Sequence, residues 1–222
     1  MEITNKEVTY IDNLLKKNGI KYWDVRIELL DHVVSELENT TNNVNFKTAV
    51  WDIFKKLGWK ENFNGSSFEK LLKQHNDTYA KKVSLKFKKY IKNSFSKSSI
   101  SLGSIFFIYS IYYVAQYKEL LKYLAFTFLG ITLVFIGYII SRKATYKSLH
   151  LNHVSNVSLF AISLFGFIIS IADGLFDVNI FKQPILVSLI FGLTIIYTTL
   201  GFIFYLKEYQ KTELIYKKLK TL

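Results

Sequence analysis

The sequence predicts an all-α integral membrane protein, in which a small cytosolic helical module precedes a four-helix transmembrane bundle. Three observations predict this class. Half of the 222 residues are hydrophobic, yet long uncharged runs occur only after residue 97. Pro184 is the single proline, so almost nothing interrupts long helices. The chain has no cysteine, which excludes disulfide frameworks, thiolate metal sites and thiol nucleophiles.

Residues 1–65 are predicted to form a three-helix cytosolic module. The first helix, near residues 4–17, ends at Asn18-Gly19, and the second lies near residues 22–38. The third begins at a cap by Asn45 and ends at Gly58. Each helix is expected to bury one apolar face: Val8, Ile11, Leu14 and Leu15 on the first, Trp23, Ile27, Leu30, Val34 and Leu37 on the second, and Phe46, Val50, Ile53, Phe54 and Leu57 on the third. Because so small a core is marginal alone, we expect it to pack on the next helix, a second copy or a partner.

An acidic run from Leu30 to Glu38 is followed by a helix with Phe46, Ala49 and the ending Phe54–Gly58. In these residues the module resembles the HAAS-type helical module of bacterial membrane proteins. Trp59-Lys60 stands where that family often has a proline. The resemblance covers residues 1–60 at most. It implies a signalling or regulatory module attached to several membrane spans, and it brings no catalytic residues.

Four uncharged runs, residues 98–116, 123–141, 154–172 and 184–206, are each long enough to cross a hydrocarbon core of about 30 Å as a helix. The spans that contain them are predicted at about residues 98–117, 120–141, 154–176 and 184–206. The first contains several serines and tyrosines, so its alternative is an interfacial or core helix. Small residues are expected to permit close helix contact in this bundle, namely Gly130, Gly137, Gly166, Ser170, Ser188, Gly192 and Gly201.

The positive charge predicts the orientation of these spans. Residues 1–79 carry 11 basic and 12 acidic side chains, whereas residues 80–222 carry 18 and 5. The excess lies before span one, between spans two and three, and in a basic tail at residues 207–222. Because Lys and Arg beside a span resist translocation, both termini are expected in the cytoplasm, with the protein in the bacterial inner membrane.

Residues 66–97 are predicted to form a basic amphipathic helix that connects the module to the first span. Its lysines and the loop after span two form what we name the basic collar, the candidate contacts to an anionic inner leaflet: Lys81, Lys82, Lys86, Lys88, Lys89, Lys92, Lys97, Arg142 and Lys143. Packing of the apolar side of this helix on the module is compatible with lipid contact through its lysines. Nucleic acid is not expected as a partner, because orientation and lipid explain basic charge beside a span.

Residues that could do chemistry are few. Glu28 and His32 lie one helical turn apart, and His150 and His153 three residues apart, but two ligands are too few for a structural metal site. No phosphate loop, paired catalytic carboxylates or Ser-His-Asp pattern occurs. No metal, cofactor or catalytic residue is therefore expected, and an enzyme is not predicted.

Two function classes follow. The first is a non-enzymatic sensing, regulatory or scaffold role through a cytosolic protein partner or self-association, with a candidate partner surface at Asp31, His32, Glu36 and Trp59. The alternative is a transporter or permease component that uses Asp173 and Asp177, a candidate polar membrane site near the outer end of span three. We favour the first, because the module resembles the HAAS type and the sequence shows no reactive constellation. A turn at Asp173-Gly174 would also leave both carboxylates merely interfacial.

Overall fold

The computed structural model describes residues 3–39, 45–59, 66–176 and 183–220; the side chains of 66–68, 118, 143–145, 161, 165–176 and 220 lie outside the description. Within these ranges the chain forms eight α-helices and no strand. They are α1 (Asn5–Lys17), α2 (Trp23–Glu38), α3 (Phe46–Lys56), α4 (Ser66–Phe95), α5 (Ser98–Ala115), α6 (Lys118–Tyr146), α7 (Leu149–Phe176) and α8 (Pro184–Lys220). The all-helical prediction is confirmed for this part of the chain.

The chain divides into two compact units. The N-terminal unit contains residues 1–82 and also 146–150, and the second unit contains 83–145 and 151–222. The division therefore falls inside α4 and not at the ends of a separate connecting helix. It also places the turn between α6 and α7 with the N-terminal helices.

Local capping sets the ends of the first three helices. Thr4 caps α1 through a reciprocal capping box with Glu7, whose two hydrogen bonds from Thr4 lower the pKa of its carboxyl group. Gly19 (φ 91°) and Gly58 (φ 69°) end α1 and α3 in the left-handed conformation, as predicted. Asn45 accepts a hydrogen bond from the backbone N–H of Lys47, which confirms the predicted cap of α3.

The core of the N-terminal unit corrects two expectations. On α2 the buried residues are Val25, Leu29, Val33 and Leu37, whereas Trp23, Ile27, Leu30 and Val34 are only half-buried. The predicted stripe was right for Leu37, which is buried, and Leu30 packs against the core, but the other fully buried positions were missed. The apolar side chains of α2 cover two adjacent faces, and spacing alone favoured the neighbouring face. Trp59 is also buried, with 6% of its surface exposed, and its ring packs against Phe54.

Three helices among the described residues are long and apolar enough to cross a membrane: Ser98–Ala115, Glu119–Arg142 and a window in Pro184–Leu219. Large apolar side chains on α5 and α6 are open to the surroundings, for example Phe106 (72% exposed) and Val134 (75%). An apolar surface of this extent is typical of a lipid-facing helix. These three helices are consistent with a membrane protein. The 28-residue helix α7 carries the fourth predicted span, which remains a prediction.

Helix α8 is one continuous helix of 37 residues, about 55 Å long, so it exceeds the hydrocarbon thickness. The predicted tail at residues 207–222 continues this helix as far as Lys220. Within the second unit the C-terminal half of α4 packs on α8, with Phe87 against Tyr197 and Phe204 at 5.3 and 5.0 Å between ring centroids. The apolar side of this part of the basic helix is therefore buried against α8.

Candidate functional site

The carboxylate of Asp24 lies at the N-termini of two helices. Asp24 is the second residue of α2, and α7 begins at Leu149. Its Oδ1 accepts hydrogen bonds from the backbone N–H of Leu149 (3.0 Å) and of Val25 (3.1 Å). Its Oδ2 accepts from the hydroxyl of Ser148 (2.8 Å) and the backbone N–H of His150 (2.9 Å). We name this arrangement the Asp24 clamp.

The clamp satisfies groups that a helix cannot satisfy by itself. The first N–H groups of a helix have no partner inside it, and the aligned peptide dipoles make that end positive. Asp24 supplies both the acceptors and the negative charge to α7 from a position 124 residues or more away in the sequence. One carboxylate thus stabilises the starts of α2 and α7 together.

Apolar packing reinforces the clamp. Leu149 is 2% exposed and belongs to the hydrophobic core that α1, α2 and α3 form. The backbone carbonyl of Lys147 accepts a hydrogen bond from the N–H of Trp23 at 3.4 Å. Lys147 adopts φ 36°, a conformation that is costly for a residue with a Cβ. The turn before α7 is therefore held against the N-terminal helices in one specific conformation.

A second polar layer lies one turn further along α2. The hydroxyl of Tyr79 on α4 donates to the Glu28 carboxylate at 3.3 Å, and the imidazole of His75 lies 3.6 Å from the same carboxylate. The ring of Tyr79 packs edge-on against His150 at 6.4 Å between centroids. Burial, with the charges of Asp24 and Glu28, raises the pKa of Tyr79 above its ordinary value. Its hydroxyl therefore remains a hydrogen-bond donor at neutral pH.

This geometry is suited to holding chain segments together. Four donors already surround the Asp24 carboxylate, which leaves little capacity to bind a substrate. Among the described residues no group of three or more His, Cys, Asp or Glu side chains could hold a metal ion.

The predicted partner surface is reduced by the structure. Asp31 and His32 are exposed on α2, on the side away from the core. Glu36 forms an ion pair with Lys56 of α3 and so bridges two helices of the unit. The prediction that Trp59 belongs to a partner surface was wrong, because its side chain is part of the hydrophobic core. Asp31 and His32 remain the accessible members.

The basic collar contains seven lysines from α4 and the residues just after it, and all seven are exposed. Lys86 is also ion-paired with Glu208 of α8, and the ammonium of Lys82 lies 5.9 Å above the ring of Tyr79. The guanidinium of Arg142 lies above the rings of Tyr138 and Tyr209, at 5.3 and 5.4 Å. The side chain of Lys143 lies outside the described residues.

The predicted polar membrane site is Asp173 and Asp177. The side chain of Asp173 and the whole of Asp177 lie outside the described residues. The backbone of α7 continues through residue 173 to Phe176, without the turn expected at Asp173-Gly174. That expected turn was wrong; the position of the two carboxylates stays untested.

Sequence reasoning missed the Asp24 clamp. Ser148 before an apolar helix is itself a recognisable cap, so one half of the clamp carried a local signal. The other half did not, because a carboxylate in the first turn of α2 also suits α2's own dipole.

Comparisons of the chain with protein-family models, with curated proteins and with solved structures give no match.

Proposed function

We propose that this protein is a non-enzymatic, multi-pass membrane regulator or scaffold, in which the N-terminal unit controls the start of helix α7 through the Asp24 clamp. The observation that carries the proposal is the set of three hydrogen bonds from Ser148, Leu149 and His150 to Asp24. A change in the N-terminal helices would reach α7 directly, since the chain continues from His150 into that helix.

The clamp also supports the proposed topology. Residues 146–150 belong to the N-terminal unit, which supports a topology with the end of α6 and the start of α7 on the same side of the membrane as that unit. This agrees with α5 and α6 crossing as a pair. The basic collar, Arg142 included, then lies on the cytoplasmic side, where anionic lipid attracts it. Asp31 and His32 are left as the accessible face for a cytosolic protein partner, in keeping with the HAAS resemblance.

The proposal is tested by Asp24→Asn in the full-length chain. Asn retains one acceptor oxygen and loses the charge, so we expect the clamp to weaken by about 1–2 kcal/mol. Hydrogen exchange of the peptide that contains residues 146–152 should become about ten-fold faster. The matched control is Asp77→Asn, which removes an exposed carboxylate from α4 in the same unit.

The functional part of the test uses cells from which the gene for this protein has been deleted. Cells complemented with Asp24→Asn should show the same transcript changes as the deletion, at unchanged membrane abundance of the protein, and Asp77→Asn should restore the wild-type pattern. Full restoration by Asp24→Asn, despite the faster exchange, would contradict regulation through the clamp. Solute flux in proteoliposomes that Asp173→Asn with Asp177→Asn abolishes would instead support the transporter alternative.

A further inference from the structure

Within the second unit, helices α4, α7 and α8 form a groove of about 350 Å³. Two close contacts set its walls. The ring of Phe87 on α4 packs against that of Tyr197 on α8, at 5.3 Å between centroids. One turn further along α8, Gly201 lies against the backbone of Ser158 on α7. The volume of the groove falls within the range of about 300–1,000 Å³ that small-molecule sites occupy.

Three polar side chains line this groove and have no partner. Ser84 and Lys88 lie one turn apart on α4, and Asn156 lies on α7. Lys88 and Asn156 are exposed and Ser84 is half-buried, so all three can be reached from the groove. None of them makes a hydrogen bond or an ion pair with a residue that the structure describes. Ser94 on the same helix, by contrast, donates to the carbonyl of Tyr90, as helical serines ordinarily do.

Polar and apolar groups follow one another along α7. Asn156 and Phe160 share one face of the helix, one turn apart, and Phe160 is 54% exposed. In the proposed topology α7 enters the membrane from the cytoplasmic side. Asn156 then lies nearer the headgroups, whereas the rings of Phe160 and Tyr197 lie nearer the hydrocarbon. A ligand with a polar head and an apolar chain, such as a membrane phospholipid, fits this order.

The charges around the groove select the headgroup. No Asp or Glu occurs in the parts of the three helices that surround it, residues 78–97, 149–160 and 184–206. The next carboxylate along α8 is Glu208, which is already paired with Lys86. A zwitterionic lipid would therefore find no partner for its ammonium group. The phosphate of an anionic lipid would meet the ammonium of Lys88 and the two neutral donors beside it.

We infer that this groove binds one anionic phospholipid of the cytoplasmic leaflet, with its phosphate held by Lys88, Ser84 and Asn156. The acyl chain lies along Phe160 and Tyr197. The inference rests on the proposed topology and goes beyond the basic collar, because the collar attracts lipid by its summed charge whereas the groove holds a single molecule. All of its residues belong to the second unit, so the site is separate from the Asp24 clamp.

The test counts bound lipid by native mass spectrometry of the full-length protein in detergent, during titration with dioleoylphosphatidylglycerol. The wild type should bind one molecule more tightly than it binds dioleoylphosphatidylcholine, which has the same chains. Lys88→Gln should weaken binding of the anionic lipid about five-fold and remove this preference. The matched control is Lys89→Gln, which removes the same charge from an adjacent, exposed residue that does not line the groove. It should bind like the wild type.

A second variant tests the apolar part of the groove. Val157→Trp places a large ring in it and should weaken binding of the anionic lipid while Lys88 remains. Equal binding of the two lipids by the wild type, or equal weakening by Lys88→Gln and Lys89→Gln, would overturn the inference. Displacement of the lipid by an equal concentration of glycerol phosphate would identify a site for soluble phosphate esters and would overturn it as well.

Hydrogen exchange separates this site from the proposed regulatory function. Lys88→Gln should leave the exchange of residues 146–152 unchanged, since that peptide reports on the Asp24 clamp. Loss of lipid binding with unchanged exchange is the result expected if both proposals hold. Faster exchange in Lys88→Gln would mean that the variant disturbs the clamp, and it would contradict the separateness of the two sites.

Discussion

Single atoms decide how close the membrane helices come. A Cβ added at Gly201 would lie 2.7 Å from the carbonyl oxygen of Ser158 and 3.1 Å from its Cα. At Gly192 it would lie 2.9 Å from Cγ1 of Ile108. Around Gly130 and Gly137, by contrast, no described heavy atom lies within 4 Å. Among the predicted glycines with described surroundings, Gly192 and Gly201 are therefore the ones at a close helix contact. The contact at Gly201 is the stricter one, because the backbone of Ser158 cannot yield as a flexible side chain can.

We therefore expect Gly201→Ala to destabilise the packing of α7 on α8 by about 1–3 kcal/mol, because overpacking must move backbone. Thermal unfolding in detergent measures it as a lowered midpoint. Gly137→Ala is the matched control on α6, with open space around the new Cβ. It should be neutral or stabilising by up to about 1 kcal/mol, because Ala favours helix over Gly. Equal midpoints for Gly201→Ala and the wild type would contradict the close approach.

At the scale of elements, the basic helix α4 is tied to α8 by a buried charge. The side chain of Glu208 is 4% exposed and pairs with Lys86 and with Lys211, whereas Lys86 is 48% exposed. A carboxylate at this depth is favourable only while its partners remain. The ammonium of Lys207 adds a contact above the ring of Tyr90, at 5.2 Å. Half of α4 is thus a packed element of the second unit as well as a lysine-rich surface.

Replacing Lys86 by Met should cost about 1–2 kcal/mol, less than the loss of a fully buried pair, since solvent screens half of the lysine. A double-mutant cycle with Glu208→Gln should give a coupling energy of about 1 kcal/mol, measured from unfolding in detergent. Lys89→Met changes an exposed lysine of the same helix and is expected to show no coupling to Glu208→Gln. Coupling of equal size at Lys89 would mean that general charge, and not the pair, is responsible.

At the scale of the whole molecule, the topology can be measured cleanly because the chain has no cysteine. Single cysteines at Gln116 and Gln183, both exposed, should react with an impermeant maleimide in intact cells. Cysteines at Lys55 and Lys218 should react only after permeabilisation, since both termini are expected in the cytoplasm. Labelling of the Lys218→Cys variant in intact cells, with Lys55→Cys unlabelled, would require an odd number of spans. Labelling of both variants would mean that the orientation is the reverse of the one proposed.

The local parts of the fold were predictable because their causes are local. The caps at Asn45, Gly19 and Gly58 follow from neighbouring residues and were predicted correctly. The capping box at Thr4 was not predicted, although it too is formed by residues close in the sequence. Uncharged runs located the three helices that are long and apolar enough to cross a membrane, and Pro184 marked the start of α8. The buried face of α2 was not predictable from spacing, because apolar pairs such as Leu29-Leu30 and Val33-Val34 offer two adjacent faces.

By itself the sequence determined the helical class, the membrane character and the main capped ends, since periodicity, hydropathy and capping act over a few residues. Only the tertiary structure decided that Asp24 caps a helix beginning at Leu149 and that Trp59 is a core residue. The physical reason is distance along the chain. An acceptor can satisfy any exposed N–H of suitable geometry, and a side chain becomes buried only once distant helices pack on it, so neither property is written in a local pattern.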